Sequence, residues 1–267
     1  MKNIFIVIGT KNKHKIKEIL AIWRQFNQNT PPRQRRVCPA TAGHRVAILR
    51  CSEATEWRKT ARKRLHPIIR FLPLSSFPDI PAVKENGLTY SENAAKKALI
   101  WAKNTGYLTL AEDSGIEVRA LKWQPGRYSA RYAYMNKTKN APHKNNNRKL
   151  LNKLQGLPMS KRTARYRCSA VLASPQGKII AKSEGICWGK IAFKSMGKNG
   201  FGYDPVFIPR HKTIGSNQLT FGQLPIKLKH SISHRGKALR KIFQRLPQIL
   251  DTLYKKPYSI KNKYNND

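Results

Sequence analysis

Two adjacent acidic residues, Glu112 and Asp113, are the strongest candidates for chemistry in this sequence. Acidic residues are rare, with 13 Asp and Glu against 53 Lys and Arg. The pair follows a short apolar run that we interpret as a buried strand ending at the carboxylates, and it precedes Ser-Gly, which we interpret as a turn. Strand ends often carry functional groups, and neighbouring carboxylates shift each other's pKa and can bind a divalent cation. The pattern therefore indicates a base or a metal ligand, although an ordinary solvated turn also favours Asp, Ser and Gly.

A second candidate site follows residues 3–9, a β-branched run that predicts a strand. The next residues, 10–15, read T-K-N-K-H-K and lead into an apolar pattern of helical spacing. Unpaired N–H groups at a helix N-terminus bind anions, and Lys15 in the first turn adds a charge that suits a phosphate. The alternative is an ordinary strand-to-helix turn with exposed lysines.

A glycine-rich stretch, residues 197–203, could approach a ligand closely with its backbone. Phe201 and Tyr203 within it offer rings on which a base could stack. The alternative is a purely structural loop that precedes a buried strand. Further along, Ser233 predicts the cap of a C-terminal helix through Leu246, so that His234 and Arg235 at its start would point to one spot.

Other local signals predict further regular elements. Thr89 or Ser91 caps a helix that Gly106 terminates. Two β-rich runs, 164–174 and 178–187, are joined by Ser-Pro-Gln-Gly, which predicts an antiparallel hairpin.

Composition narrows the class of protein. A chain of 267 residues can bury a full core. It has no apolar run long enough to span a membrane, and the N-terminal run is too short for a signal peptide, so we expect a cytoplasmic protein. The four cysteines are scattered and predict neither a zinc site nor a disulfide framework.

The net charge of +40 attracts polyanions such as nucleic acid, yet the positive residues are spread over the chain rather than gathered in a recognisable nucleic-acid module. Drift of surface residues towards lysine explains the same charge. Residues 24–70 differ in being rich in arginine, which suggests a basic, partly disordered insertion. This segment is either a nucleic-acid-binding arm or a segment that contributes nothing to the core.

Taken together, the motifs resemble one family, the inosine/xanthosine triphosphate pyrophosphatases. They occur in that family's order and cover the chain apart from 24–70 and the extreme C-terminus. The matching stretches are T-K-N-K-H-K (10–15), F-P-D-I-P followed by E-N-G-L-T-Y-S-E-N-A-A-K-K-A (77–98), A-E-D-S-G-I-E-V with P-G-R-Y-S-A-R-Y (111–132), G-F-G-Y-D-P-V-F (200–207) and K-H-S-I-S-H-R-G-K-A-L (229–239).

The resemblance implies an elongated α/β fold, a two-lobed mixed sheet with flanking helices and a nucleotide cleft between the lobes, usually as a homodimer. One domain would comprise residues 1–23 and 71–250, with a basic tail at 251–267. The implied reaction is Mg²⁺-dependent attack of water on a non-canonical purine nucleoside triphosphate (ITP, dITP or XTP), which yields the monophosphate and pyrophosphate. Hydrolysis of such an anionic substrate needs cations, a metal and a base.

The resemblance also implies roles for individual residues. Asp113 would be the general base, and Asp113, Glu112 and Glu85 would be the metal ligands. A keto group at the purine six-position accepts hydrogen bonds, so a donor such as Arg235 distinguishes it from the amino group of adenine. The implied substrate contacts, for phosphates, sugar and base, are Thr10, Lys11, Asn12, Lys13, His14, Lys15, Ser114, Phe201, Gly202, Tyr203, Asp204, Lys229, His234 and Arg235.

The sequence departs from the family pattern at three places. Glu112 stands where the family usually has Asp, Lys84 precedes Glu85 where the family often has two acids, and the segment before Lys229 is basic rather than acidic. The alternative function is therefore a catalytically weakened member that binds nucleic acid through its basic surface.

Overall fold

The computed structural model describes residues 3–29, 68–134, 140–211 and 218–255. Within these ranges a six-stranded sheet with strand order β2-β1-β3-β4-β5-β6 carries helices on both faces. The strands are β1 (Asn3–Gly9), β2 (Ile68–Pro73), β3 (Leu108–Val118), β4 (Thr163–Ala173), β5 (Ile179–Ile191) and β6 (Phe207–Pro209). The helices are α1 (Lys13–Asn29), α2 (Tyr90–Thr105), α3 (His143–Lys153), α4 (Ile226–Ile232) and α5 (His234–Lys255).

The sheet is parallel at one end and antiparallel at the other. β1 pairs in parallel with β2 and β3, whereas β3, β4, β5 and β6 pair antiparallel. The predicted hairpin is β4 and β5. The predicted mixed α/β sheet with flanking helices is therefore confirmed.

The strand that carries the two acids continues past them, so the predicted Ser-Gly turn was wrong. β3 runs to Val118, and Ser114 pairs with Cys168 of β4 inside the ladder. The parallel pairing with β1, however, stops at Gly9 and Ala111. The carboxylates thus lie beyond the end of β1 rather than at the end of their own strand, because the antiparallel partner β4 keeps β3 extended.

Three apolar clusters hold the helices against the sheet. One lies between the β1–β3 face and helices α1 and α5, and a second lies on the opposite face under α2. The third fills the antiparallel end of the sheet, where α3 and α4 pack. Both ends of the arginine-rich range belong to regular elements that pack in the first cluster. Phe26 of α1 lies 5.8 Å from Phe243 between ring centroids. At the other end, β2 begins at Ile68. The remainder of that range, 30–67, lies outside the described residues.

Local capping signals predicted the helix ends well. Thr89 caps α2 by accepting the N–H of Glu92 at 3.1 Å, and Gly106 ends the helix with φ of 74°. Ser233 caps α5 by accepting the N–H of Gly236 at 3.0 Å. That helix passes Leu246 and continues to Lys255, so it includes the start of the predicted tail. In the described ranges, no helix is long and apolar enough to cross a membrane.

Candidate active site

The site is organised around the middle of β3, where Glu112 and Asp113 point to opposite faces of the sheet. Successive side chains of a strand alternate between faces. Leu110, which shares its face with Glu112, belongs to the cluster beneath α1 and α5, whereas Ala111, on the face of Asp113, belongs to the cluster beneath α2. Each carboxylate therefore meets a different set of helices.

Glu112 is held by cations. Lys15 Nζ lies 2.7 Å from Glu112 Oε1, and Arg235 Nη2 lies 3.6 Å from the same oxygen. The Cys168 thiol donates to Glu112 Oε2 at 3.5 Å. Burial alone would raise the pKa of Glu112, but Arg235 and Lys15 hold it well below its usual range. Glu112 is therefore a permanent buried anion.

Asp113 has weaker compensation. Asn93 donates to Asp113 Oδ2 at 3.1 Å, and Lys97 Nζ lies 3.5 Å from Asp113 Oδ1. The same ammonium lies 3.1 Å from Glu85 Oε1, so Lys97 stands between two carboxylates. Burial raises the pKa of Asp113, and Glu85 and Glu112 add to the rise against the opposing effect of Lys97. A carboxylate with a raised pKa suits a proton acceptor.

A second charged cluster lies where α1, α4 and α5 meet. Glu18 Oε1 lies 2.9 Å from Lys229 Nζ, and Arg235 donates to the other oxygen of Glu18. Burial opposes ionisation, but Arg235 and Lys229 lower the pKa of Glu18 to about 2. Lys229 also lies 2.7 Å from Asp204 Oδ2, and Arg235 Nη2 donates to Ser114 Oγ at 2.9 Å. Arg235 thus connects both charged clusters.

The glycine-rich loop closes over this cluster. The N–H of Phe201 donates to Asp204 Oδ2 at 2.7 Å, so Asp204 ties the loop to Lys229. Gly200 has φ of 78°, and a Cβ there would lie 2.1 Å from Asp204 Oδ2. The Asn147 side chain donates to the carbonyl of Gly202 at 3.1 Å. Gly200 is therefore required by a tight turn around a buried carboxylate.

The two rings of this loop differ in availability. Phe201 is half-buried, and its centroid lies 5.3 Å from Lys229 Nζ. Tyr203 is buried, and its hydroxyl donates to the carbonyl of Ser129 at 2.9 Å. The expectation that Tyr203 offers a face for stacking was wrong, because its ring is buried in the apolar cluster at the antiparallel end of the sheet.

His234 and Arg235, at the start of α5, are both buried. His234 stacks on Tyr166, with centroids 4.3 Å apart and an interplanar angle of 2°. Burial, reinforced by Arg235, lowers the pKa of His234 well below its usual range, so its ring is neutral. Within the described part of the chain, His234 Nδ1 and Arg235 Nε are buried without a hydrogen-bond partner. Such unpaired nitrogens are unusual and often mark a ligand site.

The stretch between β1 and α1 forms the predicted strand-to-helix turn. Asn12 Oδ1 accepts the N–H groups of His14 and Lys15 at 2.9 and 3.3 Å, and Thr10 Oγ1 accepts the N–H of Asn12 at 3.2 Å. The exposed residues 11–14 surround the helix N-terminus. Only Lys15 turns inward, towards Glu112.

Comparison with known proteins places this geometry in a family. The model of the Ham1 family matches residues 6–245, which is most of the chain. The chain belongs to the Ham1 family.

Individual relatives agree with this Ham1 assignment. A "dITP/XTP pyrophosphatase" of Desulforamulus reducens is 47% identical over 182 residues, which cover 68% of this chain and 83% of the relative. One of Geobacter sulfurreducens is 45% identical over 168 residues, covering 63% and 79%. A solved HAM1 protein of Coxiella burnetii superposes with a TM-score of 0.65 at 30% identity, covering 92% of this chain and 99% of that structure.

Three buried residues of this Ham1 protein escaped the sequence analysis: Asn93, Lys97 and Glu18. A signal existed for each. Asn93 and Lys97 are four residues apart on α2, on the same helix face as the buried alanines 94 and 98, where polar residues need partners. Glu18 is the single acid of α1 and precedes the buried Ile19.

Among the described residues, no group of three or more His, Cys, Asp or Glu is arranged to hold a metal ion. The available donors in this Ham1 site are carboxylate oxygens, the ligands that Mg²⁺ prefers. Asp113 and Glu85 lie on either side of one positive charge, the Lys97 ammonium. The same two carboxylates would fit a divalent cation that takes the place of that ammonium.

Proposed function

We propose that this protein hydrolyses non-canonical purine nucleoside triphosphates such as ITP, dITP and XTP to the monophosphate and pyrophosphate. The observation that carries the proposal is Asp113, a buried carboxylate of raised pKa beside the buried ammonium of Lys97 and the amide of Asn93. The names of the relatives in Desulforamulus and Geobacter support the substrate class. Nothing in the comparisons favours nucleic-acid binding as the main role.

In the proposed mechanism, Asp113 accepts a proton from water while the water oxygen bonds to the α-phosphorus. The bond from that phosphorus to the oxygen bridging to the β-phosphate breaks, and pyrophosphate leaves with the electron pair. Asn93 orients Asp113 through its hydrogen bond, and Lys97 stabilises the ionised form. General-base assistance of this kind contributes about 10²- to 10⁴-fold in rate.

Cations would position the triphosphate. Lys15 and the α1 N-terminus lie beside Glu112, and Lys229 lies below Phe201. Mg²⁺ is the proposed cofactor, which Asp113 and Glu85 would hold, whereas the predicted third ligand Glu112 points to the other face of the sheet and pairs with Lys15; when bound, the metal would neutralise phosphate charge and help the leaving group depart.

Purine recognition would use the start of α5. Arg235 Nε and His234 Nδ1 have no partner in the described residues, and Phe201 supplies a half-buried ring beside them. A guanidinium donates only, so it favours a six-keto oxygen over the amino group of adenine. Hydrogen-bond mismatch at a site built for a polar group can discriminate by about 10⁴-fold. Homodimer assembly stays a prediction of the family resemblance, and cytoplasmic localisation stays a prediction of the sequence composition.

The test is pyrophosphate release by the purified full-length protein with Mg²⁺, comparing ITP, XTP, GTP and ATP. We expect release from ITP and XTP at least about 100-fold faster than from ATP. Chelation of the metal should stop turnover, and added Mg²⁺ should restore it. A folded protein that releases pyrophosphate from none of these nucleotides contradicts the proposal, and salt-sensitive binding of DNA or RNA by that protein would support the alternative.

A further inference from the structure

An exposed histidine covers the aromatic ring at the mouth of the site. His14, in the first turn of α1, stacks on Phe201 with centroids 5.4 Å apart and an interplanar angle of 21°. His143, at the start of α3, lies beside both rings, 6.1 Å from Phe201 and 6.2 Å from His14 between centroids. Its Nδ1 accepts the N–H of Gly202 at 3.2 Å, which holds it at the loop. Three rings from three segments therefore meet here.

Phe201 is the ring of this group that contacts the charged interior. Its centroid lies 5.3 Å from Lys229 Nζ and 5.5 Å from the guanidinium carbon of Arg235. Its backbone is fixed by the hydrogen bond to Asp204. A purine recognised by Arg235 would therefore stack on Phe201, since no other half-buried ring of the described residues lies over both cations.

The stacked histidine covers one face of Phe201. Centroids of contacting aromatic rings lie about 4.5–7 Å apart, so His14 and Phe201 are in direct contact and no third ring fits between them. His14 is exposed at the N-terminus of α1. Its backbone N–H is held by Asn12, and its ring contacts only other aromatic rings among the described residues. Its side chain is free to change rotamer without disturbing the core.

We infer that His14 is an internal competitor of the purine: its imidazole occupies the face of Phe201 and must leave before the base can stack. This rests on the proposed function. A ligand that binds only one conformation has its apparent affinity reduced by the population of that conformation. His14 would thereby set the KM for purine nucleotides without taking part in the chemical step.

The experiment compares His14→Ala with His14→Phe and with Lys17→Ala, a matched control at an exposed position of the same helix. From the strength of an aromatic pair, His14→Ala should lower the KM for ITP about 3- to 10-fold. His14→Phe keeps a ring on Phe201 and should leave the KM at or above that of the unaltered protein. Lys17→Ala should change neither the KM nor kcat.

Inorganic tripolyphosphate, which has no base, separates stacking from charge. Its inhibition constant should be the same for His14→Ala and the unaltered protein. A raised or unchanged KM in His14→Ala, or an equal change for tripolyphosphate, overturns the inference while leaving the hydrolase function intact. If the protein hydrolyses no nucleotide, calorimetric binding of inosine monophosphate still decides the matter: tighter binding by His14→Ala supports the competition, and equal or weaker binding refutes it.

Discussion

On the face of β3 that packs against α1 and α5, Glu112 meets Lys15 and Arg235, and its pKa lies well below the usual range. On the opposite face, beneath α2, the neighbouring Asp113 meets Asn93 and Lys97, and its pKa is raised. Both carboxylates are buried. The difference is that Asp113 contacts one cation, Lys97, which it shares with Glu85, whereas Glu112 contacts two.

This contrast separates two tasks. The face with Glu112 also contains Glu18, which Arg235 and Lys229 hold as an ion, so its charges are mutually compensated and fix α1 to α4 and α5. The face with Asp113 keeps a buried carboxylate whose pKa is raised. We therefore expect loss of the anion Glu18 on the first face to affect stability and loss of Asp113 on the second face to affect turnover.

The largest expected effect is that of Asp113→Asn. Loss of the proton acceptor should lower kcat by about 10²- to 10⁴-fold, measured as pyrophosphate release from ITP. Because the carboxyl is only partly compensated, the urea midpoint should not fall. Glu184→Gln, at an exposed acid of β5, is the matched control and should retain full activity. Full activity of Asp113→Asn would refute its role as base.

Glu18→Gln should reverse that pattern by weakening the fold. It removes one of the two buried anions beside each of Lys229 and Arg235, which keep Asp204 and Glu112, and breaking such a buried pair costs up to about 3–5 kcal/mol in the free energy of unfolding. Urea denaturation measures this value, and Glu184→Gln, which loses one exposed pair, should lose at most about 1 kcal/mol. Equal losses of unfolding free energy in both variants would show that the buried charged cluster stabilises the fold no more than an exposed ion pair does.

Acid titration of the unaltered protein tests the same charged cluster. The pKa of Glu18 is lowered from 4.5 to about 2 on folding, so its contribution is fully present above pH 4.5 and is lost as the pH falls towards 2. That contribution is about 3 kcal/mol by linkage. The free energy of unfolding should therefore fall between pH 4.5 and 2, and the slope should be smaller in Glu18→Gln. Identical slopes would show that Glu18 does not carry the effect.

The smallest effect should come from Ser114→Ala, on the same face of β3 as Glu112. It removes the acceptor of the Arg235 Nη2 hydrogen bond. A neutral acceptor is worth about 0.5–1.5 kcal/mol, so the KM for ITP should rise up to about 10-fold. Ser183→Ala, which removes a hydroxyl that donates to the carbonyl of Ala238, is the control and should leave the KM unchanged. An unchanged KM for Ser114→Ala would place Arg235 outside base recognition.

Local signals explain what could be predicted from the sequence. The caps at Thr89 and Ser233 and the stop at Gly106 depend on residues within one turn, and all three occur as predicted. The Ser-Gly turn after Asp113 failed for the opposite reason: the pairing with β4 comes from a strand distant in the chain and keeps Ser114 extended. Burial of Tyr203 likewise depends on Ser129, which no local pattern connects to it.

The sequence by itself determined the family, the order of its motifs and the pair of acids at the centre of the site, because these depend on residue types and short spacings. Only the tertiary structure decided which acid is a fixed ion and which can accept a proton. The pKa of a buried carboxylate depends on burial and on charges within a few ångströms. Those charges come from Lys15, Lys97 and Arg235, which the fold brings together from three different helices.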